Sequence, residues 1–167
     1  MYIPFDQMPA ESRVWIYQSS RLLSGQEVAL LEKGLRDLCE KWAAHGWPLH
    51  ASFRIADNLF VILSVNESMT GASGCSIDSS VHALKLIQEQ LGVDFFDRSR
   101  VAFATTEGVK QYPLTELKSL FQNQILSASS VAFNNLVSTK GEWERSWKTS
   151  VADSWLSRYL PKSTLAG

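Results

Sequence analysis

The segment Thr70-Gly-Ala-Ser-Gly-Cys-Ser76 holds the residues best suited to chemistry in this chain. Behind it, Ile77, Val81, Leu84, Ile87 and Leu91 recur at helical spacing, so the segment sits at a helix N-terminus. Small residues there let backbone amides point at an anion. The amides and the helix dipole also favour a thiolate, which would ready Cys75 as a nucleophile. Ser73, Ser76, Ser79 and Ser80 supply further donors. Asp78, in the first turn, opposes a thiolate. His82 is too far along the helix to act as its base, about 10 Å from Cys75, and His50 would reach the thiol only through the fold. Ser73, Gly74, Cys75, Ser76, Asp78 and Ser79 therefore read in two ways. They form a small-molecule, anion or thiol-enzyme site, or Ser76 with Asp78 and Ser79 is an ordinary N-cap and Cys75 a small residue packed under a loop.

Other residues carry recognition rather than reaction. Trp143, Trp147, Val151, Trp155 and Tyr159 are spaced by four. On one helix, or on two with a restart near Thr149, Ser150 or Asp153, they make a single aromatic stripe. Trp143, Trp147 and Trp155 are then either a partner surface or a docked terminal helix. Asn134 and Asn135 follow a strand and serve as amide recognition groups or as turn residues. His45, His50 and His82 show no metal-ligand spacing, and Cys39 lies beside an apolar helical stripe. No metal and no cofactor is expected.

The elements that must position these residues are legible in outline. Arg13 to Gln18 is β-branched and aromatic and predicts a strand. Ser24-Gly-Gln-Glu27 is a capping box. Val28, Leu31, Leu35, Leu38 and Trp42 predict a helix to about His45, stopped by Gly46 and Pro48. Leu49 to Ile55 and Leu59 to Val65 make a hairpin about Ala56-Asp57-Asn58. The second helix ends at Gly92, and Arg100 to Ala104 is a fourth strand. Strand, helix, strand, strand, helix, strand is the split βαβ order. The expected fold is α+β, a ferredoxin-like antiparallel sheet with both helices on one face over residues 1–104. Residues 105–167 form an α/β extension packed on it: a hairpin to Tyr112, a short helix from Leu114 to Phe121, a strand at Val131 to Phe133, and the tryptophan stripe.

Composition narrows the partners. In 167 residues, 16 Lys and Arg balance 17 Asp and Glu, for a net charge of −1. That argues against a dedicated nucleic-acid or acidic-membrane binder. The longest apolar stretch, Leu59 to Val65, falls far short of the ~20 residues of a membrane helix. The amino-terminal MYIPFDQMP has no secretion-signal pattern. Two cysteines are too few for a disulfide scaffold and fit a reducing cytosol.

Three segments carry a resemblance: Met1-Tyr-Ile-Pro-Phe-Asp-Gln7, Ser73-Gly-Cys-Ser-Ile-Asp-Ser-Ser80 and Phe133-Asn-Asn-Leu-Val137. Over nearly its whole length the chain resembles an uncharacterised bacterial family often labelled "ABC transporter ATPase". That label implies nucleotide chemistry, which needs a Gly-rich phosphate loop with a Lys and a Ser or Thr. No G-x-x-x-x-G-K-[ST] is present, Gly71 to Ser76 has no lysine, and Asn66 stands where a magnesium-side aspartate belongs. Leu23-Ser-Gly-Gln26, a shortened ABC signature, is part of the capping box. ATP hydrolysis is not expected. Residues 101–133, with Tyr112-Pro-Leu-Thr-Glu-Leu-Lys-Ser-Leu120, are similar to bacterial GYF-like modules, which implies peptide binding. They depart from these modules at Tyr112, Val101 and Phe133. The expected function is a non-catalytic interaction or regulatory module whose partner is another protein or a second copy. The alternative is a site centred on Gly74-Cys75-Ser76.

Overall fold

The computed structural model describes residues 1–162. β1, Arg13–Gln18, leads into α1, Gly25–Lys41, through the expected capping box. Ser24 Oγ accepts from Glu27 N at 3.2 Å, and Glu27 Oε1 accepts from Ser24 N at 2.9 Å. Two amides that the helix cannot bond are satisfied together. Both terminal nitrogens of Arg21 also donate to this carboxylate, at 2.9 and 2.7 Å. Arg21 first, then the Ser24 amide, hold Glu27 at about 2 against an ordinary 4.5. A carboxylate lowered in the folded state contributes stability above its unfolded pKa and loses it as pH falls through the folded value. The Glu27 contribution is expected whole above pH 4.5 and to fade towards about 2. A carbon-13 titration of its carboxyl with an ordinary midpoint would contradict this.

α1 ends at Lys41, earlier than the expected His45. His45 and Gly46 take φ of 52° and 81° and turn a small hairpin between β2, Ala43–Ala44, and β3, Trp47–Pro48. Positive φ at both central residues suits a two-residue turn, so this segment pairs with itself rather than extending the helix. β4, His50–Ala56, and β5, Phe60–Asn66, form the predicted hairpin. Its Asp57 and Asn58 also have positive φ. α2 runs Gly74–Leu91 and stops at Gly92, φ 65°, in the left-handed region.

The chain divides into two compact units. The first comprises Met1–Asp97 with Asn135–Glu144, and the second comprises Arg98–Asn134 with the chain from Arg145 onward. The first unit holds a three-stranded antiparallel sheet, β1-β5-β4. Leu31, Leu35 and Cys39 of α1 and Leu84 and Leu91 of α2 share one core with Phe53, Val61, Leu63 and Val65. Both helices therefore lie on one face. A Cβ at Gly34 would come within 2.9 Å of Ile87 Cδ1, so glycine lets the helices close together.

Ser52 and Ser64 stand opposite each other, fully buried, on β4 and β5. Neither hydroxyl has a hydrogen-bond partner among the described residues. A buried, unbonded hydroxyl is destabilising. Ser64→Ala is therefore expected to stabilise the protein by about 1 kcal/mol in denaturant unfolding. A loss of stability would show that the hydroxyl is bonded.

The expected fourth strand forms as β6, Arg100–Thr105, but in the second unit. There the antiparallel order is β7-β6-β8-β9, with β7 at Gly108–Pro113, β8 at Val131–Phe133 and β9 at Lys148–Ser150. Both edges of β6 are used by β7 and β8, so it cannot close the first sheet. Beside β1, residues 138–139 take that place: Val14 N donates to Ser138 O at 2.9 Å, and Arg13 bridges Thr139. The four-stranded ferredoxin-like sheet expected through Ala104 is thus corrected to three strands. α3, Leu117–Gln122, follows a 3-10 turn and buries Leu117 and Phe121 against Phe103, Ala132, Val151 and Leu156.

The tryptophan stripe is also corrected. α4 spans only Lys140–Ser146; β9, Lys148–Ser150, and 3-10 turns at Val151–Asp153 and Trp155–Tyr159 follow. β8 pairs with Lys148–Ser150 residue for residue. An edge strand in need of a partner outweighs the weak helical preference of Thr149 and Ser150. Among the described residues no helix is long and apolar enough to cross a membrane.

Candidate functional site

The sequence-predicted site lies at the start of α2. Ser73 is the N-cap, and its Oγ accepts from Ser76 N at 3.1 Å. Ser76 Oγ accepts from Ser73 N at 2.7 Å and donates to Ser73 O. Ser79 Oγ donates to Ser76 O, and Ser80 Oγ to Ile77 O. These hydroxyls are thus turned onto the helix's own backbone, as capping and back-bonding require. Trp42 Nε1 donates to Ser76 O at 2.7 Å and fixes this end of α2 against the core. The loop before it closes on a carboxylate: Ala72 N donates to Glu67 Oε2 at 2.9 Å, and a Cβ at Gly71 would lie 3.2 Å from that oxygen. Glu67, absent from the sequence reading, places negative charge where an anion would sit. Gly74 and Asp78 are exposed.

Cys75 is exposed and free, whereas Cys39 is buried and free. Burial pushes the Cys39 thiol up to about 12. Only the thiolate attacks disulfides. The native protein is therefore expected to titrate one thiol with Ellman's reagent, at Cys75, and the second only on unfolding. Two thiols reacting at once in the native protein would overturn this. No group of three His, Cys, Asp or Glu able to hold a metal occurs among the described residues.

The remaining candidates divide between the two units. Asn135 Nδ2 donates to Gln18 Oε1 at 3.3 Å in the first unit, and Asn134 N donates to Trp147 O at 2.6 Å in the second. Trp147 is buried with its ring 4.7 Å from Phe133, whereas Trp155 is 49% exposed. Trp143 is half-buried inside the first unit, edge-on to Phe5 at 5.3 Å. The Arg54 guanidinium lies 4.7 Å from the Phe5 ring centre and 5.7 Å from that of Trp143, and it pairs with Asp6 at 2.6 Å. Lys140 is buried beneath them, and its Nζ donates to Met8 O at 2.8 Å. Cations seated on aromatic faces and carbonyls make this cluster an internal brace. The sequence reading missed it because Asp6, Arg54 and Trp143 belong to no shared motif.

The second unit holds a cavity of about 710 Å³. Phe121, Leu126, Leu160 and Pro161 form apolar walls, and Gln122, Gln124 and Ser127 add amides and a hydroxyl. Gln124 has φ 59°, so the backbone turns sharply after α3. Phe121 stacks on Tyr159 at 6.4 Å and an interplanar 10°. Tyr159 meets Trp155 edge-on at 6.0 Å. An aromatic row thus runs from the cavity wall to an exposed tryptophan. The sequence carried no local signal for it, since its walls come from residues 121–128 and 160–161.

Compared with protein-family models, with curated proteins and with solved structures, the chain matches none.

Proposed function

We propose that the protein is a non-catalytic interaction module whose second unit holds an uncharged, extended segment of a partner protein. The observation that carries this reading is the lining of the 710 Å³ groove, in which none of the eight lining residues among those described is ionisable. Acid–base and nucleophilic catalysis need a titratable or activated group. Recognition needs apolar walls with a few amides and hydroxyls, which Phe121, Leu126, Gln122 and Gln124 supply. Trp155 extends the surface with the residue type that most often anchors an interface. The likeness of residues 101–133 to GYF-like modules agrees in kind. On this reading the protein works without metal or nucleotide, and its two unpaired cysteines suit a reducing cytosol.

The test is selection of displayed random peptides on the full chain. Selected peptides are expected to share an uncharged, apolar or prolyl centre. Leu160→Glu, at a half-buried wall position, is expected to weaken them by about tenfold or more, since it sets an unpaired charge against apolar groups. Circular dichroism controls for folding. Selection of no peptide above background, or equal binding by Leu160→Glu, would end the reading.

A further inference from the structure

We infer that the free half of the β4 edge accepts an extended peptide strand from a partner protein, one that places a lysine or arginine opposite Glu32. This does not rest on the second unit's groove. β4 is the edge of the first sheet. At Ala51 that edge is already used: Ala51 N donates to Met1 O at 2.9 Å, and Ile3 N donates to Ala51 O at 2.8 Å. In a strand the outward-facing backbone pairs alternate, so Phe53 and Ile55 turn their N–H and C=O the same way as Ala51. Neither residue's outward groups have a partner among the described residues. Pro4 follows, and the next segment is a 3-10 turn at Phe5–Gln7. The chain leaves the ladder at that turn, so the amino-terminal segment hydrogen-bonds to Ala51 and leaves the outward groups of Phe53 and Ile55 unbonded among the described residues. The edge thus already pairs, at Ala51, with an extended segment of this chain.

Beside the open half lies a cavity of about 350 Å³, lined by Tyr2, Pro4, Phe5, Val28 and Glu32 as well as by Phe53, Arg54 and Ile55. A strand added here would bond to Phe53 and Ile55 and send alternate side chains to the two faces of the sheet. On the helix-covered face they meet Val28 and Glu32, one turn apart on α1. On the opposite face lies Arg54, whose charge is already matched by Asp6 at 2.6 Å. The Glu32 carboxylate has no ion-pair partner among the described residues, so it sets the charge of the visitor. A lysine or arginine suits the place: its stem covers Val28 while its head reaches Glu32.

The experiment uses the nitrogen-15-labelled full chain and two pools of capped heptapeptides, randomised except for a central Lys or a central Glu. The Lys pool is expected to slow hydrogen exchange at the Phe53 and Ile55 amides, with a preference over the Glu pool of about three- to fivefold, the upper part of the range of an exposed ion pair. Ile55→Pro removes a donor that the ladder does not use, a position where an edge strand tolerates proline, and is expected to abolish the protection. Glu32→Lys, on the exposed face of α1, is expected to reverse the pool preference with folding unchanged. Leu160→Glu is expected to change nothing here. Unaltered exchange at Phe53 and Ile55 with both pools would overturn the proposal, as would an unchanged preference in Glu32→Lys. Concentration-dependent protection of the same amides without peptide would assign the edge to a second copy and overturn it too.

Discussion

Trp147→Ala is expected to lower unfolding stability by about 3–5 kcal/mol, the range for truncating a core aromatic. Trp147 is 5% exposed. It stands at the junction of α4 and β9 with its ring against Phe133, and its carbonyl receives the Asn134 amide. Removing the ring leaves a cavity beside the short β8–β9 ladder, whose three residue pairs give little reserve. Trp155→Ala supplies the contrast. Its ring is half in solvent, so the loss is expected to stay near 1 kcal/mol or below. Chemical denaturation with a common slope measures both. An unchanged midpoint for Trp147→Ala would refute its core role and return weight to a partner surface.

What could be read beforehand was local. Ser24 with Glu27, the Gly71–Ser76 loop at a helix start, Gly92 at a helix end, and Asp57-Asn58 between two apolar runs each announce themselves within a few residues, although the cap itself is Ser73 rather than the expected Ser76. Capping and turn chemistry act over that range. Sheet membership does not. Arg100–Thr105 reads as a strand, but nothing within it says that β7 and β8 would take both its edges. The four-residue spacing from Trp143 to Tyr159 misled for a related reason. A distant strand, Val131–Phe133, claimed Lys148–Ser150 and broke the period. The candidate sites divide in the same way. The α2 loop was found because it is contiguous, although the carboxylate that bonds the Ala72 amide comes from Glu67 upstream. The uncharged groove, the Arg54 brace and the open β4 edge join residues far apart in the chain. Long-range packing alone creates them.

Removal of residues from Gly141 onward is expected to have the largest effect of all. In the first unit it deletes Trp143 from the Phe5–Arg54 stack and Glu144, 3.6 Å from the Lys140 ammonium. In the second unit it deletes β9, leaving β8 with a bare edge. It also removes Trp147 from its place against Phe133, and the fully buried Val151 and Leu156 from the Phe103 core. Burying Val or Leu is worth about 1.5–3 kcal/mol each, and Trp147 about 3 or more. Their sum, about 6–11 kcal/mol, is comparable with the roughly 5–15 kcal/mol that holds an ordinary domain folded. Phe103, Phe121 and Ala132 would then face water beside an unpaired strand, a surface prone to association. Residues 1–140 alone are expected to aggregate on expression. Any soluble fraction should lack the dispersed amide signals of the β6–β8 segment. A soluble chain with one cooperative melt and full amide dispersion would show that the segment after Gly141 is an accessory surface, not part of the core.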